Sequence, residues 1–430
     1  MKLSQSGLGS VRIKNLDQMC PAQDILVQSG QLVQHGSGIY SYNNVPLRLR
    51  QNIEEIIRET LNKYECQEVL LPILQPESLW QESGRWDRYI NDGIMLAITT
   101  EKGNYCIAPT AEEAVVDFAK GKLKSHKNLP VTFYQIGEKF RNELRPRGVL
   151  LRGKAFPMMD AYSFDKDEDG LQESYQRLRN AYIEIFERLG LETIIVAADS
   201  GAIGGSKSEE FMVMSDIGED TILVNPITGK GLNTEILERE DYEDYLKKEY
   251  GIDDVSTLEK KKAIELGHIF QLGTKYSVPM QGKYQDSDGK EKEFYMGCYG
   301  IGVSRTLATI YELSVLKDKD NNPVGIALPV HLAPYLLQIV PKNDDPDKVE
   351  QANKLYEILK ENGIEAILDD RDYSTIGARM KDVGILGTPF MAVIGDRTKP
   401  GEIEVENMAT GEKNIMTQAQ LVEKFSKLKK

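Results

Sequence analysis

The sequence predicts an α+β fold followed by a small α/β unit, and three observations carry that expectation. Two apolar, β-branched and aromatic runs, Val131–Ile136 and Phe156–Phe164, flank a loop punctuated by Pro146, Gly148 and Gly153, as two joined strands would. Long segments of helical period, 46–64 and 168–189, lie outside that pair. Beyond residue 330, short apolar runs alternate with helical ones, which predicts a separate α/β unit. The expected domains are therefore 1–330, with 219–266 as an insertion, and 331–430.

Residues 1–45 read as an irregular arm with one helical piece, Pro21 to Val33, ending at His35-Gly36-Ser37-Gly38. Pro46 suits a first helical turn, and Leu49, Ile53, Ile56, Ile57 and Leu61 then share one face. A strand, Glu68–Ile73, follows and contains Pro72. Both tryptophans, Trp80 and Trp86, sit among charged residues in LWQESGRWDRYINDG, where at least one is expected to anchor a core. Thr110 and Glu113 have capping-box spacing at a helix start. That role explains both of them and leaves Glu112 free to meet an ammonium.

Helix 168–189 is expected to bury Leu171, Tyr175, Leu178, Tyr182, Ile185 and Phe186 and to stop at Gly190. A strand, Thr193–Ala198, leads into the glycine-rich turn Asp199–Ser206. That turn lacks GxxxxGK[ST] and GxGxxG, which excludes P-loop and Rossmann readings and favours a tight pocket wall. Residues 219–266 are dense in charge and poor in large apolar side chains, so they read as a solvated surface insertion. Gly267–Ser277 returns to strand type, and a hairpin turning at Asp288-Gly289 reaches Phe294. The glycines of Met296–Arg305 precede an apolar helix, where backbone and helix dipole favour a phosphate. Arg305, in the first turn, opposes that dipole and calls for an anionic partner. In 331–430 the expected order is strand 335–340, helix 346–361, strand 364–368, helix 377–386, strands 390–394 and 402–406, and helix 417–429.

The chain of 430 residues carries a net charge of −14, which argues against a protein that grips nucleic acid over its whole surface. Against that background, Glu138–Lys154 holds six Lys/Arg and two Asp/Glu, and arginine forks suit phosphate oxygens. Cys20, Cys66, Cys106 and Cys298 form no CxxC pair, which points to a reducing cytoplasm and away from a clustered-cysteine zinc site. Neither a signal-peptide core nor a run of ~18–20 apolar residues is present, so a cytoplasmic chain without a membrane span is expected.

Phe140-Arg141-Asn142-Glu143, the basic loop, then Arg152, Phe156 and Asp160 at steps of four resemble the second signature motif of class II aminoacyl-tRNA synthetases. Helix 46–64 leading to Pro72 resembles the first motif, and Gly297–Arg305 the third. LWQESGRW, Pro109-Thr110-x-Glu112, ADSGAIGGS (198–206), GHIFQLGTKYS (267–277) and GCYGIGVSR (297–305) are similar to prolyl-tRNA synthetases of the bacterial type. Together these strings span most of 30–315.

The resemblance implies a catalytic core built on an antiparallel sheet flanked by helices, and an anticodon-binding domain over 331–430, where Asp369-Asp-Arg-Asp372 matches. It implies ATP and Mg²⁺ as cofactors, without naming metal ligands, and L-proline and tRNA(Pro) as partners of a homodimer formed at Pro72. In its terms Arg141 and Arg305 are catalytic, and Arg141, Glu143, Arg152, Phe156 and Arg305 bind ATP. Thr110, Glu112, Arg141, His268 and Cys298 surround proline.

Lys154, Ala155, Met159 and Glu209 depart from the family pattern, as does Tyr373–Gly377 in the last domain. The large editing insertion is absent, with only 219–266 in its place, which leaves a role for a protein that corrects errors in trans. The rival reading is an inactive paralogue with a regulatory or RNA-binding role.

Overall fold

The computed structural model describes residues 1–8, 13, 16, 19–372 and 374–428. Tyr373, much of 9–18 and the last two lysines, which touch the expected arm, turn and final helix, lie outside the described residues. The chain forms two compact units, Glu54–Thr306 and Met1–Ile53 with Leu307–Lys430. These do not follow the expected boundary at 330. Residues 1–53 join the C-terminal part because the terminal ammonium donates to Ala366 O at 2.7 Å and the Gln31 amide to Ile385 O at 2.7 Å.

The unit Glu54–Thr306 is organised by a nine-stranded sheet: β1 (Gln67–Glu68), β2 (Val131–Phe140), β3 (Ala155–Asp165), β4 (Ile194–Ala197), β5 (Lys207–Met214), β6 (Asp220–Val224), β7 (Gly231–Asn233), β8 (Glu259–Gly273) and β9 (Tyr295–Gly302). Their order is β5-β4-β7-β6-β8-β9-β3-β2-β1, antiparallel except for β1–β2 and β4–β7. Helix Glu168–Arg188 lies on this sheet and buries the expected stripe from Leu171 to Phe186. Its N-cap is Asp167, whose side chain accepts from Gly170 N, and Gly190 follows it at φ 72°.

Several elements differ from expectation for identifiable reasons. Pro157 sits in the sheet interior, yet β9 pairs with β3 only from Met158 onward, so no ladder bond is lost on that side. The expected strand 68–73 pairs as a strand only at Gln67–Glu68, and Leu70 and Pro72 beyond it are exposed. The segment 219–266 is not a peripheral insertion. Its strands β6 and β7 belong to the sheet, and β5 pairs with β8 as well as β4, so β4 to β8 close into a ring. Leu232, Ile236, Leu246 and Ile252 give it a core of its own. Leu223, Leu237, Tyr245 and Tyr250 pack against that core, so the segment's apolar residues are interspersed with charge rather than few.

In the other unit, Pro21–Gln28 is helical, but Leu32–Gly36 pairs with Ile39–Tyr42 as a hairpin rather than extending the helix. A five-stranded sheet contains β10 (Leu337–Pro341), β11 (Ala366–Leu368), β12 (Phe390–Ile394), β13 (Glu402–Asn407) and β14 (Lys413–Thr417), ordered β11-β10-β12-β13-β14. Helices Pro346–Glu361, Ile376–Leu386 and Gln418–Leu428 accompany it, close to the expected spans. β14, an edge strand with exposed Lys413, Ile415 and Thr417, carries no apolar signal and escapes the sequence pattern.

Gly218, at the entrance to β6, packs against β8 so closely that a Cβ would lie 2.1 Å from Ala263 O. Gly218→Ala should therefore destabilise this unit by about 1–3 kcal/mol through backbone overpacking. Chemical denaturation checks this, and an unchanged midpoint would contradict the close approach.

Candidate active site

The ladder between β2 and β3 positions the site. Its register runs unbroken from Val131↔Phe164 to Phe140↔Ala155. Side chains alternate along a strand, so Phe156, Met158, Asp160 and Tyr162 of β3 face one side together. β9 aligns Cys298, Gly300 and Gly302 with Tyr162, Asp160 and Met158, and β8 sets His268 and Phe270 against Gly300 and Cys298. These rows floor a cleft of about 260 Å³. All nine sequence-predicted site residues line it: Thr110, Glu112, Arg141, Glu143, Arg152, Phe156, His268, Cys298 and Arg305.

At one end stands a buried acid. Glu112 opens helix Glu112–Lys120 and is fully buried. Thr110 is not the N-cap; its hydroxyl donates to Glu112 Oε2 at 2.7 Å, while Ala111 occupies the cap position. The capping-box reading fails because Glu113 also turns inward, where it accepts from the Ser83 hydroxyl at 2.7 Å. Between the acids lies Arg85, with Nη1 at 3.1 Å from Glu112 and 3.4 Å from Glu113. Burial would raise the Glu112 carboxyl, but Arg85 and the Thr110 hydroxyl hold it below its ordinary value. Glu113 is pushed up to about 7 by burial, with Glu112 adding to the rise and Arg85 only partly offsetting it. Cys298 Sγ stands 3.5 Å from Glu112 Oε1, its thiol pushed well up by burial and therefore neutral. Removing one partner of such a buried ion pair costs about 3–5 kcal/mol.

The middle of the cleft holds Arg141, whose Nε donates to Pro109 O at 3.3 Å and whose guanidinium lies 5.3 Å from the Phe156 ring centroid. Beneath it, Asp160 pairs with buried Lys139 at 2.7 Å and accepts from Gln135 and Tyr162, each at 2.9 Å.

The other end is cationic. Arg147 and Arg152 exchange backbone hydrogen bonds of 3.1 and 3.0 Å, closing a tight turn anchored by buried Leu150 and Leu151. Arg152 Nε lies 2.8 Å from Glu219 Oε2, an ion-pair distance without hydrogen-bond alignment. Arg305 donates from Nε to Leu151 O at 3.0 Å and pairs closely with the Glu265 carboxylate. The anionic partner expected for Arg305 is thus supplied within the chain. Burial opposes the Arg305 charge, but Glu265 more than restores it.

His268, stacked on Phe270 with centroids 3.9 Å apart, places Nδ1 at 3.3 Å from Glu265 and 3.5 Å from Glu210. Burial disfavours its charge, yet Glu210 and Glu265 carry its pKa above the ordinary value. The donor atoms of these three residues lie within 4.8 Å of one another, a spacing a metal ion would accept. Glu265 is already shared with Arg305, however, and His268 Nδ1 stands within ion-pair distance of both carboxylates.

Sequence reasoning missed Arg85, Glu219, Glu265 and Tyr276. Arg85 lay in plain view between the two tryptophans, an arginine surrounded by rings. Glu219 and Glu265 were hidden within a charge-dense stretch that reads as solvated. Among the departures, Lys154, Ala155, Met159 and Glu209 do not line the cleft. Glu209 turns to the helix behind, accepting from Tyr175 at 2.9 Å and Arg179 at 3.2 Å.

A family model described as the tRNA synthetase class II core domain (G, H, P, S and T) matches residues 96–314, and one described as an anticodon binding domain matches 337–428. A proline–tRNA ligase of Ehrlichia canis is 37% identical over 437 residues, spanning 99% of this chain and 100% of that protein. One from Wolbachia pipientis wMel is 37% identical with the same coverage. One from Gloeothece citriformis is 32% identical over 584 aligned positions, covering 95% of this chain and 96% of its own length. That alignment exceeds the 430 residues here, so the Gloeothece protein carries inserted sequence that this chain lacks. The fold is similar to a Cryptosporidium parvum prolyl-tRNA synthetase crystallised with halofuginone and AMPPNP, with TM-score 0.73 and 16% identity over 99% of this chain and 77% of that one. Full-length identity of this order, with both family models in sequence, means that the chain belongs to the proline–tRNA ligase family of class II aminoacyl-tRNA synthetases.

Proposed function

We propose that the protein activates L-proline with ATP, forming prolyl-adenylate and diphosphate, and transfers the prolyl group to the 3′ end of tRNA(Pro). The observation that carries this reading is the single cleft in which three arginines and an aromatic face meet a small acid-ended pocket. Arg141 pairs with the proline carboxylate and the α-phosphate, and Arg152 and Arg305 hold the outer phosphates. Phe156 stacks on adenine and Glu143 reads its amino group. Glu112 and Thr110 receive the two N–H groups of the prolinium ion, while His268 and Cys298 wall the ring.

A carboxylate oxygen then attacks the α-phosphorus, and the bond to the bridging oxygen breaks with its electron pair leaving on diphosphate. In the second step a ribose hydroxyl of tRNA attacks the activated carbonyl and AMP departs. No protein side chain forms a covalent bond, so catalysis is placement and charge stabilisation. Mg²⁺ would supply further neutralisation of the phosphates. Glu219 and Asp220, near Arg305, would offer it hard oxygen ligands.

Exposed Leu70, Ile73 and Leu74 around Pro72 support a homodimer face. The four cysteines are free, which supports a reducing cytoplasm, and no helix among the described residues is long and apolar enough to cross a membrane. Proline and alanine differ little in size, so a compact pocket discriminates weakly between them. Without an editing insertion, correction of Ala-tRNA(Pro) falls to a separate protein acting in trans.

Pyrophosphate exchange with each of the twenty amino acids tests the assignment: proline-dependent exchange is expected. Silence would support the inactive paralogue, and dependence on another amino acid would reassign the pocket. Arg141→Ala should abolish exchange while circular dichroism stays unchanged; a near-normal rate would remove its α-phosphate role. The isolated protein should form Ala-tRNA(Pro) without hydrolysing it, and measurable hydrolysis would overturn the trans-correction proposal. With four histidines in the chain, His268 can be followed by NMR titration. Glu265→Gln should lower its midpoint, because a carboxylate that favours imidazolium is gone.

A further inference from the structure

We propose that Arg85 is a positioning residue of the proline pocket, holding Glu112 as the ammonium-accepting carboxylate and tying it through Tyr276 to the 199–206 wall. This rests on the reading that Glu112 receives the substrate ammonium.

Arg85 is 5% exposed and does not line the cleft, so it acts through its neighbours. Its Nη1 lies 3.1 Å from Glu112 Oε2 and donates to the Tyr276 hydroxyl at 2.7 Å. That hydroxyl donates in turn to Ile203 O at 2.9 Å, in the glycine-rich turn that walls the cleft. The turn has little freedom of its own. A Cβ on Gly205, at φ 122°, would stand 2.3 Å from Gln271 O. The rings of Trp80, Tyr89 and Tyr276 face the guanidinium, with centroids at 4.9, 4.3 and 5.1 Å. Nε and Nη2 have no hydrogen-bond acceptor among the described residues, so the ring cage and the two acids define where the group sits.

Arg85 and Thr110 both converge on Glu112 Oε2. Oε1 accepts only the weak Cys298 thiol donor at 3.5 Å, so it is the oxygen with capacity to meet a substrate N–H. An ammonium receptor that is itself a buried acid must be ionised before substrate arrives, and burial works against this. The other titratable groups around Glu112 are Tyr89, Glu113, Tyr162, Lys275, Tyr276 and Cys298. The tyrosines and the thiol are all raised by burial and stay neutral. Glu113 opposes ionisation; of the other cations, Lys275 is itself lowered by burial, and Arg141 is held on Pro109 O rather than on the acid. Arg85 is therefore the group that keeps Glu112 charged and aimed.

The test measures proline-dependent pyrophosphate exchange by the full chain between pH 6 and 9, with folding checked by thermal melts. The variant R85Q/E113Q, which removes the cation together with its second acid, should raise KM for proline at least tenfold at pH 7, with KM for ATP within twofold. Its kcat/KM for proline should climb as pH rises, because Glu112 now titrates with a raised pKa and binds only when ionised. A proline KM and pH profile like wild type would overturn the proposal. Should that variant not fold, R85K keeps the charge but cannot reach Glu112 and Tyr276 together, so KM for proline should rise on a flat pH profile. An unchanged KM there refutes the positioning role. E112Q separates the two claims. If it leaves the proline KM unaltered, the ammonium assignment itself fails; if only E112Q impairs proline binding, the Arg85 proposal alone fails.

Discussion

The register of the β2–β3 ladder is the constraint on which the site depends. Ten consecutive pairs, from Val131↔Phe164 to Phe140↔Ala155, put every second residue of β3 into the cleft. A slip of one residue would turn Phe156, Asp160 and Tyr162 away and bring Met159 and Ala161 in. The register is held along one face. Phe133 and Phe164 pack into the core beside Tyr162, while Asp160 is pinned to Lys139 on the neighbouring strand and to Gln135 beside it. Apolar packing and a buried ion pair thus select the same alignment, which is why two strands can present aligned groups to a substrate from a loop-bearing hairpin.

The cleft also illustrates how a protein stores charge without water. Arg85 meets Glu112 and Glu113, Lys139 meets Asp160, Arg305 meets Glu265, and Arg152 meets Glu219. For the buried pairs of Arg85 and Lys139, each partner offsets the other's desolvation cost, whereas Arg152 and Arg305 keep part of their solvent. Pairing also fixes the side chains before any substrate arrives, so little reorganisation remains for the moment of reaction. Arg152 and Arg305 are thus oriented by carboxylates before any ligand enters the cleft.

Much of this was legible in the chain. The arginine-rich loop, the Thr110–Glu112 element and the glycines before Arg305 are local patterns whose chemistry survives without tertiary context. What escaped were partnerships. Nothing local to Arg85 reveals that it lies against Glu112, 27 residues on, or that Tyr276 closes the same cage 191 residues away. Thr110 and Glu113 had a sufficient local explanation in a capping box, and tertiary burial overrode it. Met159 and Glu209 raised doubt as departures, yet strand alternation sends both away from the cleft.

The largest revision concerns 219–266, and it bears on how a short chain manages without the extra sequence of the Gloeothece relative. A charge-dense segment was expected to hang from the surface. Instead β6 and β7 complete the ring from β4 to β8, and the turn ahead of β6 delivers Glu219 to Arg152. Sequence hydropathy fails here because both strands are short, and the apolar run Ile222–Val224 is flanked by charge-dense stretches that dominate the segment's average. The consequence is geometric: the ring that stiffens the sheet also sets the position of a carboxylate at the cationic end of the cleft. A longer insertion in this region of the chain would have to preserve that ring, since β8 supplies both the ring's longest strand and His268 in the pocket.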